Sequence, residues 1–102
     1  MTRRRARIDL DQRRIADCFR RNGIQKLSLF GSVLRPGFRP ESDVDVLVEF
    51  QPGRTPVWEF VDMEEELSAI LGRKADLNTP GSLSRYFRDA VLLQAEVVYV
   101  AP

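Results

Sequence analysis

The run Asp43-Val44-Asp45-Val46-Leu47-Val48 constrains this chain more than any other stretch. A strand turns successive side chains to opposite faces, so Val44, Val46 and Val48 define an apolar face while Asp43 and Asp45 stand together on the other. Two carboxylates held side by side repel unless a cation lies between them, and a divalent metal is the usual answer. Taken alone, such a pair is also what a solvated strand end looks like. A preceding apolar run, Ile24 to Phe30, closes on Gly31-Ser32. The backbone N–H groups and hydroxyl of that turn suit a phosphate.

The remaining chain reads as alternating helices and strands. Asp9 and Gln12 have capping-box spacing for a helix carrying Leu10, Ile15, Cys18 and Phe19, which Asn22-Gly23 ends. Ile24 to Phe30 is a strand with Leu27 and Leu29 on one face and Lys26 and Ser28 on the other; one helical turn through Leu34 follows. Pro36, Gly37 and Pro40 stop anything longer. Asp43 to Phe50 is the second strand. Thr55-Pro56 opens a helix to about Leu71, with Val57, Phe60, Val61, Glu64, Leu67, Ile70 and Leu71 on its stripe and Gly72 at its end. Trp58 lies off the stripe, packed at a sheet edge or anchoring a partner, and Glu64-Glu65-Glu66 reads as a solvated face. Lys74 to Thr79 is a third strand with Asp76 opposite Ala75 and Leu77. Ser82 or Ser84 caps a last helix bearing Leu83, Phe87, Ala90, Val91 and Leu93, and Glu96 to Val100 is a fourth strand. This order predicts an α/β or α+β domain, a mixed four-stranded sheet with helices packed on one side.

With 102 residues the chain is expected to form a single domain, residues 1–102, with a basic arm at 1–7. No run approaches the roughly 20 apolar residues of a membrane span, and the start lacks the apolar core of a secretory signal, so a cytoplasmic location is the expectation. The lone Cys18 reads as a small core residue. The absence of histidine excludes His-based triads and imidazole metal sites, which leaves carboxylates, hydroxyls, Lys and Arg for any catalysis. From Met1 to Lys26 nine Lys/Arg face three Asp, whereas Glu41 to Asp76 holds three Lys/Arg and ten Asp/Glu. That polarity either steers a partner or an anionic ligand, or is a basic terminus and a solvated acidic helix face.

Gly31-Ser32, ten residues, Asp43-Val44-Asp45, and then Asp76 on a later strand form a joint pattern. In this the chain resembles the minimal nucleotidyltransferases, the smallest members of the DNA polymerase β-like nucleotidyltransferase superfamily. Leu83 to Tyr99 also looks like that family's closing helix and strand, so the resemblance covers nearly the whole chain. Pro36 stands where such proteins often carry Gly, a departure that removes no catalytic group. The resemblance implies a nucleotidyltransferase fold and a two-Mg²⁺ site held by Asp43, Asp45 and Asp76, with Asp76 serving the metal that activates the attacking hydroxyl. It also implies that Gly31 and Ser32 hold the phosphates of ATP. Arg35 and Arg39 are then candidate phosphate clamps, or else solvated loop arginines.

The resemblance further implies a partner. Similar proteins act as antitoxins of HEPN-type ribonuclease toxins by transferring AMP to a toxin tyrosine. A binding antitoxin that neutralises without catalysis is the alternative. A small-molecule acceptor usually comes with an additional substrate domain. Nucleic-acid binding through Arg3, Arg4, Arg5, Arg7, Arg13 and Arg14 ranks low, because that cluster lacks interleaved aromatics and a helix-turn-helix pattern.

Overall fold

The computed structural model describes residues 11–35, 43–53 and 60–101. The expectations placed on the basic arm, Asp9, Leu10, the loop with Pro36 and Arg39, Thr55-Pro56, Val57 and Trp58 lie outside these residues.

Helix α1 (Gln12–Asn22) is capped by Asp11, whose Oδ1 accepts from the Arg14 N–H at 3.2 Å. The cap thus falls two residues after the Asp9 expected from the capping-box spacing, because Asp11 carries its own carboxylate at the right offset to bind the third helical N–H. Ile15, Cys18 and Phe19 form the buried stripe, and Gly23 ends the helix at φ 69°, donating its N–H to the Phe19 carbonyl. Burial and the nearby Glu66 push the Cys18 thiol up to about 11, so it packs as an un-ionised core group.

Strand β1 (Ile24–Phe30) runs into a 3-10 turn at Gly31–Leu34, and β2 (Val44–Phe50) begins one residue after Asp43. After helix α2 (Phe60–Leu71) come β3 (Ala75–Asn78), a second 3-10 turn (Pro80–Ser82), helix α3 (Arg88–Gln94) and β4 (Glu96–Val100). The sheet order is β3-β2-β1-β4, with β1 antiparallel to both of its neighbours and β2 parallel to β3. The mixed sheet is therefore as expected. Its parallel pair needs a crossover connection, and α2 lies on that connection.

Val44, Val46 and Val48 are fully buried and meet α1 and α2 in one core with Leu27, Leu29, Ala75 and Leu77. In α2 the buried positions are Met63, Leu67 and Leu71, with Phe60 and Ile70 packed partly against the core. Val61, expected on that stripe, is exposed, because the four-residue spacing of Met63, Leu67 and Leu71 turns it outward. Gly72 closes the helix at φ 73°. The opposite sheet face is not purely polar either: Ser28 and its register partner Leu47 are both 2% exposed.

The acidic run in α2 is not a uniformly solvated face. Glu64 Oε2 accepts from the Leu77 N–H at 3.0 Å, and Glu66 pairs with Arg21 of α1, while of the three only Glu65 is exposed. The start of the last helix also differs from expectation. Thr79 and Ser82 cap one another around Pro80, while Ser84 Oγ accepts from Tyr86 N–H and the Ser84 carbonyl from the Phe87 and Arg88 N–H groups, so Ser84 caps a turn that precedes the helix. Helix α3 instead begins at Arg88, after Phe87, with no side-chain cap and no buried residue.

Candidate active site

Strand pairing brings the candidate residues to one end of the sheet. Phe30, the last residue of β1, lies opposite Asp45, so Gly31 emerges directly beside it. Parallel register places Asp76 opposite Asp45. Because Val44, Val46, Ala75 and Leu77 all face the core, Asp45 and Asp76 share the other face on strands about 4.8 Å apart. Asp43 precedes β2 on the same side and is exposed, its Oδ2 lying 4.0 Å from Lys74 Nζ.

Gly31 is fitted to this corner in two ways. Its φ of +78° is a left-handed conformation that side-chain-bearing residues adopt at a cost. A Cβ built there would overlap Oδ2 of Asp45 and lie 3.3 Å from its Cγ. The turn therefore packs backbone directly against a carboxylate. Ser32 follows within the 3-10 turn, and Arg35 lies exposed just beyond it.

Asp45 is half-buried, and its carboxyl is raised above the usual range by burial first and then by the charges of Asp76 and Asp43. Such a group favours a bound cation, which would remove the repulsion while tolerating the burial. Among the described residues no three acidic or thiol side chains already close around a point as a complete cage. The in-register pair Asp45 and Asp76 suits a divalent cation such as Mg²⁺, which takes one or two carboxylates and fills its remaining positions with phosphate oxygens and water. The donor set is oxygen only, the kind a hard divalent cation takes.

Two neighbouring contacts escaped the sequence reading. Lys74 is drawn to Asp43, and Glu64 reaches across to the edge of β3. The second had a signal, since a glutamate on an otherwise apolar helical stripe must find a partner in the fold.

This sheet, with its acidic corner and glycine turn, defines the class. The family model described as "Nucleotidyltransferase domain" matches residues 12–98, and the chain belongs to that family; it is a nucleotidyltransferase. Within it, the similarities run to small members. Protein adenylyltransferase MntA of Thermococcus cleftensis is 39% identical over 80 residues, covering 78% of each chain. A solved structure assigned as a minimal nucleotidyltransferase is 34% identical with a TM-score of 0.66, covering 82% of this chain and 87% of that one. A toxin–antitoxin crystal structure with AMP-PNP has a TM-score of 0.69 at 23% identity, over 90% of this chain and 75% of that one, and so shares the fold.

Proposed function

We propose that this chain is a Mg²⁺-dependent protein adenylyltransferase that moves AMP from ATP onto a hydroxyl of a partner protein, a tyrosine of a HEPN-type toxin, and so acts as its antitoxin. The observation that carries the catalytic part is the acid corner, in which Asp45 is wedged against Gly31 and faces Asp76 in register. Adenylyl transfer as the reaction is supported by the name of the T. cleftensis relative, and a toxin partner by the complex that shares this fold.

In this reading Asp43, Asp45 and Asp76 would together hold the metal, with Asp76 serving the side on which the hydroxyl attacks. Bound there, Mg²⁺ would supply positive charge against that growing on the attacking and leaving oxygens. Gly31 lets the phosphates approach the backbone closely, Ser32 adds a hydroxyl, and Arg35 clamps the departing pyrophosphate. Asp76 accepts the proton of the acceptor hydroxyl as the bond to the α-phosphorus forms and pyrophosphate leaves.

The test is to incubate the chain with labelled ATP, Mg²⁺ and the product of the adjacent gene, and to locate the added mass by peptide mass spectrometry. An AMP adduct on a tyrosine, absent with the Asp43→Asn/Asp45→Asn variant, is the expected result. No adduct on any partner residue counts against the reading.

A second reading, a binding antitoxin that neutralises without catalysis, is favoured by the apolar surface near α3, where Tyr86 and Leu93 are 84% and 86% exposed. Under it, the same double variant still neutralises the partner in cells.

A further inference from the structure

Strand β3 lies at the edge of the sheet formed by the described residues, and an edge strand leaves every second N–H without a ladder partner. The parallel pairing begins with the Val44 N–H donated to the Lys74 carbonyl, so the residues of β3 that face β2 are the even-numbered ones. The Ala75 and Leu77 N–H groups point the other way, toward α2. There both are met by side chains. Ser68 Oγ accepts from Ala75 N at 2.9 Å while donating to the Glu64 carbonyl at 2.8 Å, and Glu64 Oε2 accepts from Leu77 N at 3.0 Å. Glu64 and Ser68 are one helical turn apart and so project from one face of α2. Asp76 is the residue between the two bonds.

We infer that Glu64 is a positioning residue of the active site. Together with Ser68 it makes α2 a second, side-chain strand along β3, fixing the height at which Asp76 meets Asp45. The inference rests on the metal-site reading above. Its chemistry is that of an outer-shell partner. The carboxylate touches no substrate, but it fixes the backbone from which a ligand projects, and loss of such partners typically weakens metal binding or activity about 10- to 100-fold. What the position requires is a hydrogen-bond acceptor, not a charge. Gln, which keeps an acceptor oxygen at the same reach, is therefore expected to replace Glu64, and Ala is not.

The experiment measures Mn²⁺ binding by electron paramagnetic resonance on the full chain, with and without a non-hydrolysable ATP analogue, for wild type, Asp45→Asn, Glu64→Gln and Glu64→Ala. Wild-type binding that Asp45→Asn abolishes establishes the site independently of Glu64. Glu64→Ala is then expected to weaken Mn²⁺ binding about tenfold or more and to lower kcat with KM for ATP little changed, while Glu64→Gln stays within about twofold of wild type. Glu64→Ala binding Mn²⁺ like wild type would overturn the inference, as would Glu64→Gln failing like Glu64→Ala. If wild type and Asp45→Asn bind Mn²⁺ alike, the site reading itself fails and takes this inference with it. Should Glu64→Ala not fold, amide hydrogen exchange on wild type decides. Slow exchange at Leu77 and Ala75 is expected, and exchange as fast as at an open strand edge would overturn the inference.

Discussion

Under the proposed function, Asp45 is the residue at which stability and activity are set against each other. Its carboxyl is raised above the ordinary value by burial and by Asp76 and Asp43, so in the metal-free protein its ionisation costs more in the folded state than in the unfolded one. The unfolded carboxyl titrates first, near about 3.9, so stability is lost as pH rises from there through the raised folded value, and the deficit persists above it. Asp45→Asn removes that deficit. Without divalent metal, the variant is expected to melt at a higher temperature than wild type at pH 7.5, and the difference should close at pH 3, where both side chains are neutral. Transfer activity is lost at every pH. A variant less stable than wild type at pH 7.5 would contradict the like-charge account. Gly31 offers a matched comparison with Gly53, which has the same φ of +78° but nothing within 4 Å of a Cβ. Gly53→Ala should lower stability by about 1–2 kcal/mol from the backbone alone and leave transfer intact. Gly31→Ala should cost at least as much and also lose most of its activity, because its methyl displaces the Asp45 carboxylate.

At the level of elements, what could be read from the sequence followed from where burial is one-sided. Strands β1 and β4 run over the expected residues, and β2 and β3 fall within them, because alternation and flanking Gly or Pro mark them locally. The pair Asp43 and Asp45 was legible for the same reason. That Asp76 joins them was legible only through the family resemblance, since register between strands joined by a helix is set by tertiary packing and not by local pattern. Helix α3 was misplaced for a related cause: it buries no residue, so its apolar side chains carry no stripe that could fix its start. The misplaced cap of α1 makes a direct test. Asp11→Ala is expected to destabilise the protein by about 1 kcal/mol in urea titration without changing transfer, whereas Asp9→Ala should change neither stability nor transfer. Equal losses from both would mean that a capping box reaches back to Asp9.

Across the whole molecule, the basic and acidic segments that the sequence sets apart are partly joined by the fold. Arg21 of α1 pairs with Glu66 of α2, so some of the polarity serves helix packing instead of steering. Among the described residues the acidity that remains concentrated is the corner of Asp43, Asp45 and Asp76, and it should dominate the response to divalent ions. Added Mg²⁺ is expected to raise the melting temperature of wild type, by about 1.4 kcal/mol of stability at tenfold excess over its dissociation constant. The Asp43→Asn/Asp45→Asn variant should not respond. An equal rise in both, followed by calorimetry, would place the stabilising ion elsewhere.

The register that sets Asp45 opposite Asp76 also bears on fidelity. Side chains alternate along β3, so a slip of one residue against β2 would send Asp76 toward Val44 and Val46 and expose Leu77. Such a chain would lack one carboxylate at the corner and carry a buried charge in its core, and it would be both inactive and unstable. Under the proposed function, errors in assembling this sheet would therefore yield silent, short-lived molecules, not enzymes with altered chemistry.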